Sequence, residues 1–132
     1  ADDARSSLLM ALRAGAALRW ARRAMRPKRL DQSIEAMAAR KRQLGVPGAE
    51  RPVRDIAATY AASRWLVPAK PRCLIDALAL DHILLARRLS ATLVFGVHLK
   101  PFAAHCWLQS PEVVLTGTAA EARNFTPILV IG

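Results

Sequence analysis

The hydrophobic period of the chain changes once, near Leu89, and this change limits the folds available to it. Before Leu89, apolar residues recur at spacings of three and four, which is typical of helices. After it, short segments rich in β-branched and aromatic residues are separated by turn residues, which predicts strands. Four helices followed by about four strands indicate an α+β fold, with a small antiparallel sheet packed on the last helix.

The predicted elements have boundaries that follow from glycines, prolines and capping residues. Asp31 or Ser33 can cap the second helix, and Pro127 indicates either an edge position for the last strand or the start of that strand. If Ser110 and Pro111 form a two-residue turn, Thr116 lies opposite His105. The first predicted helix covers residues 4–26, the second ends at about residue 44, the third begins near residue 52 and the fourth covers 73–88. Residues 67–72 are predicted to form an extended connector. The predicted strands cover 91–99, 104–109, 112–117 and 125–131.

Positive charge dominates the first part of the chain. The formal net charge is +10, and residues 1–51 hold twelve of the 20 cations against five of the ten anions. Such a field favours acidic partners. There is no RNA-binding aromatic motif and no zinc-finger spacing, so nucleic acid is not the expected partner and the arginines are interpreted as a solvated helix face. No stretch of 18 apolar residues occurs, so membrane association is not expected either.

The two cysteines, Cys73 and Cys106, are interpreted as reduced thiols of a cytoplasmic protein, because no secretion signal is visible. A metal site built from these cysteines with His98 and His105 is not expected, since the spacing matches no compact ligand pair. No cofactor is expected.

Cys73 is the first candidate for chemistry. It follows Lys70 and Arg72 and opens a predicted amphipathic helix, and both a helix N-terminus and nearby cations favour the reactive thiolate. His82 lies nine residues along the same helix, about 13 Å up its axis, which is too far to act as its base. His98 ends a strand where an exposed histidine is ordinary. His105 lies within the apolar strand "AAHCWL", which leaves it as either a core residue or the base.

The segment "CLIDALALDHILLARRLSATLVFGVHLKPFAAHCWLQ" resembles the lasso-peptide leader peptidases, a branch of the transglutaminase-like cysteine protease superfamily. The resemblance rests on the Cys-Leu that opens the helix, the "FGV" strand, and "KPFAAHCWLQ", which matches a Pro-Phe-x-Ala-His-x-Trp segment. "FTPILVI" matches the strand that closes the domain. The similarity covers residues 71–131, whereas the basic helical part is similar in character only.

This resemblance implies a cysteine peptidase with a papain-like core that removes the leader from a ribosomally made precursor peptide. Cys73 would be the nucleophile and His105 the general base and acid, with Trp107 as a wall of the substrate site. The implied partners are the precursor peptide, a leader-recognition domain or protein, and an ATP-dependent macrolactam synthetase. Residues 1–132 are interpreted as a single protease domain, with a basic helical part (1–66) and a catalytic helix plus sheet (67–132), in which no leader-recognition domain is visible.

One position departs from the family pattern. The resemblance implies an aspartate twelve residues after His105, and that position is Gly117, preceded by Thr116. Three interpretations remain open. The site is a Cys–His dyad with Thr116 as a weak orienting group, a nearby carboxylate such as Glu112 or Glu121 replaces the aspartate, or the chain is a catalytically impaired module that docks the leader or the synthetase.

Overall fold

The computed structural model describes residues 2–26, 29–66 and 73–132, and it confirms the α+β class. The predicted connector at 67–72, with Lys70 and Arg72, lies outside these residues. The helices are α1 (Asp2–Ala24), α2 (Leu30–Leu44), α3 (Glu50–Ser63), α4 (Cys73–Ala86) and α5 (Ala119–Arg123), with a 3₁₀ turn at Arg64–Leu66, and the strands are β1 (Thr92–Leu99), β2 (Phe102–Gln109) and β3 (Thr126–Ile131).

Helix α4 forms the centre of the domain, with α1 packed on one side and β2 on the other. The prediction that α4 is amphipathic was wrong, because apolar side chains are buried around its whole circumference. A helix that is apolar on all sides is typical of a fully enclosed position. Its buried residues are Ile75, Ala77, Leu78, Ala79, Leu80, Asp81, Ile83, Leu84 and Leu85.

The sheet has three antiparallel strands in the order β2-β1-β3. Pro127 therefore lies on an edge strand, as predicted, where its missing N–H removes no bond needed by a further strand. The register shifts between Phe95 and Gly96 at a β-bulge. As a result Gly96, in the central strand, has His105 on one side and Pro127 on the other.

The predicted fourth strand, at 112–117, was wrong. The structure forms a turn in which the Ser110 N–H donates to the carbonyl of Val113, so the two turn residues are Pro111 and Glu112, one position later than predicted. One isolated bridge then pairs Gln109 with Val114, so the register differs from the predicted one and Thr116 is not paired with His105. The chain next forms α5, a helix that the sequence analysis did not predict.

Helix α2 ends as its sequence predicts but begins differently. Gly45 is in the left-handed region with φ 75°, and its N–H donates to the carbonyl of Lys41, which is a common helix terminus. The residue that precedes the helix is Arg29, and its side chain makes no capping hydrogen bond. The prediction of Asp31 or Ser33 as the cap was therefore wrong, because α2 has already begun at Leu30.

A buried ion pair joins three elements of the core. Lys41 Nζ on α2 lies 2.7 Å from Asp81 Oδ2 on α4, and both side chains are fully buried. The same ammonium group donates to the carbonyl of Ile131 at the end of β3. Burial raises the pKa of Asp81 to about 6, although the nearby Lys41 charge acts in the opposite direction. Within the described ranges, no helix is long and apolar enough to cross a membrane.

Candidate active site

The predicted nucleophile, Cys73, is the first residue of α4, and its free thiol is exposed. The backbone N–H groups of a first helical turn have no partner within the helix, so they can bind the oxygen that becomes negative during acyl transfer. One turn further on, Asp76 Oδ1 accepts hydrogen bonds from the Tyr60 hydroxyl and from Arg64 Nε, each at 2.7 Å. These contacts fix the start of α4 to the end of α3, and with it the position of Cys73.

The predicted base, His105, lies on β2 between two aromatic rings. Its ring centroid is 5.6 Å from that of Trp107 and 5.2 Å from that of Phe125. Trp107 is itself buried and donates from Nε1 to Gln109 Oε1, and its ring stacks on the imidazole. The His105 Nε2 atom is buried and has no hydrogen-bond partner among the described residues. The His105 ring is therefore packed between aromatic side chains, but its Nε2 atom has no hydrogen bond from the described residues that would orient the ring.

Residue 117 lies next to that nitrogen. A Cβ atom built on Gly117 would be 3.6 Å from His105 Nε2, at the position where the family resemblance implies an aspartate. Gly117 has φ 69°, a left-handed conformation that favours glycine and that asparagine and aspartate also tolerate. The structure thus places residues 105 and 117 next to each other. An aspartate side chain at 117 would contact the imidazole.

The loop that carries Gly117 is attached to α3 by polar contacts. The Ser110 hydroxyl donates to Glu50, and this hydrogen bond is the largest cause of the lowered pKa of the Glu50 carboxyl. Arg54 bridges the carboxylates of Glu50 and Glu112 at 2.9 and 3.0 Å. The helical half of the chain therefore determines where this loop crosses the end of β2.

On β2 itself, the loop is held by Thr116 and Leu115. The Thr116 hydroxyl oxygen accepts the Leu108 N–H at 3.0 Å, and the Leu115 N–H donates to the Leu108 carbonyl at 2.7 Å. Thr116 thus contacts the backbone of the strand, and Gly117, one residue further, borders the imidazole.

Cys106 occupies the opposite face of β2 from His105, as strand alternation predicts, and its side chain is part of the core. Burial raises the pKa of its thiol to about 12, with further contributions from Cys73 and Asp81. A buried thiol of this kind is inert at neutral pH, whereas the Cys73 thiol is exposed. Cys73 and Cys106 are close enough to interact electrostatically, so the start of α4 lies near the middle of β2.

No hydrogen bond joins the Cys73 thiol to His105 in the part of the chain that the structure describes. The imidazole contacts the rings of Trp107 and Phe125. Catalytic hydrogen bonds are often long or poorly aligned before substrate binds, and tighten in the complex.

The other two histidines are placed elsewhere. His82 stacks on Trp20 with ring centroids 4.1 Å apart, and partial burial lowers its pKa, with a smaller contribution from Arg40. His98 is exposed, and its Nδ1 lies 3.0 Å from the Pro101 carbonyl oxygen. Both placements agree with the analysis of the sequence, which set these residues aside.

Sequence analysis missed Gly96 and Phe125, which determine the surroundings of His105. A Cβ atom on Gly96 would lie 2.9 Å from the Phe125 Cβ and 3.0 Å from the Trp107 ring. Because Gly96 has no side chain, Phe125 and Trp107 can both pack closely against the central strand at this position. The glycine within an otherwise β-rich segment was the available signal, since such a glycine often marks a bulge or a close approach.

We expect Gly96→Ala to lower the free energy of unfolding by about 1 to 3 kcal/mol, because the added methyl group overpacks the two rings. The matched control is Gly15→Ala in α1, where nothing lies within 4 Å of the new atom. The control is expected to be neutral or to stabilise by up to about 1 kcal/mol through helix propensity. Urea unfolding curves measure both, and equal stabilities of the two variants would contradict the proposed crowding.

The chain belongs to the transglutaminase-like superfamily, whose family model matches residues 8–130. This superfamily includes cysteine proteases and transglutaminases. The match covers the basic helices as well as the sheet. Comparison with curated proteins gives no match, and comparison with solved structures gives none either.

Proposed function

We propose that the chain is a cysteine peptidase that removes the leader from a lasso-peptide precursor, with Cys73 as the nucleophile and His105 as the base. The observation that carries the proposal is the placement of position 117 against the buried, unpartnered Nε2 of His105. A core histidine with a purely structural role is normally satisfied by hydrogen bonds. The choice of substrate rests on the sequence resemblance over residues 71–131.

The reaction follows from the chemistry of these two side chains. The Cys73 thiolate attacks the carbonyl carbon of the scissile peptide bond, and the first-turn N–H groups of α4 stabilise the negative oxygen. When the C–N bond breaks, the His105 imidazolium gives its proton to the leaving amine and a thioester remains. His105 then takes a proton from water, whose oxygen attacks the thioester and releases the leader acid and the free thiol.

Mass spectrometry of a reconstituted mixture tests this function. The mixture contains the precursor, the leader-binding partner and this chain, with the synthetase and ATP added in a second sample. We expect two products whose masses together equal the precursor plus one water, and a core peptide one water lighter when the synthetase is active. An uncleaved precursor in the complete mixture, with every other component shown to be active, would refute the assignment.

A second candidate function is a non-catalytic docking module. The residue at 117 carries no carboxylate, and α1 and the 3₁₀ turn border an apolar groove of about 800 Å³ that includes the exposed side chains of Leu12 and Leu66. If this function is correct, the chain binds the synthetase or the leader-binding partner in a pull-down but leaves the precursor intact. The same mixture therefore distinguishes the two candidates.

A further inference from the structure

Helix α1 carries an apolar surface on the side that faces away from the core. Its opposite side packs on α3 and α4 and consists of Met10, Ala14, Ala17, Leu18 and Ala21. On the outer side, α1 and the 3₁₀ turn border the apolar groove of about 800 Å³, where Leu8, Leu12 and Leu66 are 61, 73 and 57 % exposed. A contiguous apolar patch on a protein surface commonly marks an interaction site.

The outer side of α1 also has the residue spacing of a helix that packs against another helix. Leu8, Leu12, Gly15, Arg19 and Arg22 are separated alternately by four and three residues, so they lie along one line of the helix surface for about 21 Å. None of these five residues is buried. They form the α1 seam, whose first half is apolar and whose second half carries two guanidinium groups.

Gly15, in the middle of the α1 seam, has no packing role within the described chain. A Cβ atom built on it would have no neighbour within 4 Å, and its backbone is not in the left-handed region. A glycine inside a helix destabilises that helix relative to alanine, so the fold alone does not explain it. A residue without a side chain does allow a second backbone to approach closely, and the adjacent groove residue, Ala16, is also small. The floor of the groove therefore suits a helix better than a flat surface such as a membrane.

The second half of the α1 seam lies in a strongly basic region. Arg19, Arg22, Arg23 and Arg26 are all exposed. Within residues 2–26, 29–66 and 73–132, no carboxylate forms an ion pair with any of these four side chains. A partner that covers the leucines and continues along α1 must therefore supply negative charge at this end.

This charge pattern argues against a second copy of the chain as the partner. Two copies of α1 packed in parallel would place arginines against arginines, and like charges across an interface are unfavourable. Two fully overlapping antiparallel copies would place the leucines of each helix against the arginines of the other. An acidic helix from a different protein satisfies both halves of the α1 seam.

We propose that the α1 seam docks an amphipathic, acidic helix of a partner protein. The apolar residues of that helix occupy the groove beside Leu8 and Leu12, and its Asp or Glu side chains contact Arg19 and Arg22. The apolar contacts supply most of the affinity, whereas the ion pairs fix register and direction. The proposal does not depend on the proposed function, because binding is measured without precursor or cleavage.

Fluorescence anisotropy with synthetic helical peptides tests the charge pattern on the native chain. Each peptide spans the length of the α1 seam, with leucines at spacings of three and four in one half and glutamates at the same spacing in the other. Two orders of the halves cover the two directions of binding. We expect one glutamate peptide to bind at least about 10-fold more tightly than its counterpart with lysines in place of the glutamates. Equal affinities would overturn the proposal.

Charge reversal in the chain is the matched experiment. Arg19→Glu with Arg22→Glu is expected to lower the affinity for the glutamate peptide at least about 10-fold and to make the lysine peptide the better ligand, which a merely structural defect would not do. The control, Arg42→Glu with Arg51→Glu, makes the same change in net charge on exposed residues of α2 and α3 and is expected to change binding little. An equal loss in the control would mean that only net charge matters, and would overturn the proposal.

Gly15→Leu tests the groove itself. The added side chain fits the chain without a clash at its Cβ atom, but it fills the floor of the groove, so we expect at least about a 10-fold loss of affinity with an unchanged urea midpoint. Native affinity in this variant would contradict docking at the α1 seam.

Two further measurements on the native chain distinguish the other occupants. Light scattering is expected to find a monomer, and a dimer that Leu12→Glu dissociates would assign the α1 seam to a second copy. Vesicles of phosphatidylserine are expected to bind no more weakly to Gly15→Leu than to the native chain, because a flat surface does not enter the groove. Vesicle binding that Gly15→Leu abolishes, without binding of either glutamate peptide, would assign the α1 seam to a membrane and overturn the proposal.

Discussion

Cys73→Ala is expected to abolish leader cleavage, with a loss of rate of at least about 10⁴-fold. The thiol is exposed at the first turn of α4, where backbone N–H groups are available to the developing oxyanion. Without the sulfur there is no thioester intermediate, and a positioned water attacks far more slowly than a thiolate. The rate of product formation by mass spectrometry is the measurement.

Two matched controls isolate this effect. Cys106→Ala removes the second thiol, which is buried and has a pKa raised to about 12, so cleavage is expected to continue within a few-fold of the native rate. His105→Ala is expected to lose activity as Cys73→Ala does, whereas His98→Gln replaces an exposed histidine on the neighbouring strand and is expected to retain it. Cleavage by Cys73→Ala at the native rate would exclude a thiol mechanism at this position.

Lys41→Met is expected to lower the free energy of unfolding by about 3 to 5 kcal/mol. The substitution keeps a long apolar side chain but leaves the Asp81 carboxylate buried without its cation. It also removes the donor to the Ile131 carbonyl at the end of β3. The midpoint of urea unfolding, with an unchanged slope, measures the loss.

The double variant Lys41→Met with Asp81→Leu is the control. It replaces both charges by apolar groups, so most of the lost stability is expected to return, because no buried charge is left alone. If the double variant is as unstable as the single one, the packing of α2 rather than the uncompensated carboxylate is the cause.

The destabilisation by Lys41→Met is expected to grow with pH. Burial already raises the pKa of Asp81 to about 6 in the presence of Lys41, and removal of the cation raises this pKa further. A carboxyl group that keeps its proton to a higher pH in the folded state than in the unfolded chain stabilises the fold at low pH. That contribution is lost as pH rises from about 4 through the folded-state pKa.

The sequence predicted most of the fold because its main signals are local. The change of hydrophobic period gave the α+β class, and Gly45 marked the end of α2 through its left-handed conformation. The cysteine after two prolines was correctly placed as the first residue of α4. Each of these features depends on residues that are neighbours in the chain.

The site was predicted less well because it depends on a loop. A β-like composition at 112–117 predicted a strand, but the pairing ends after one bridge, between Gln109 and Val114, and residue 117 is in the left-handed region. The spacing of twelve residues from His105 still identified Gly117 as the neighbour of the imidazole. The roles of Gly96 and Phe125 depend on contacts between segments distant in the chain, and the one local signal for them is a glycine within a β-rich segment.

The contacts that cross from helices to sheet have a consequence for folding cooperativity. Lys41 reaches β3 as well as α4, and Glu50 and Arg54 hold the loop after β2. Opening of the basic helices therefore breaks the Lys41 contact with β3 and the polar contacts with the loop after β2 at the same time. The chain is expected to melt as one unit.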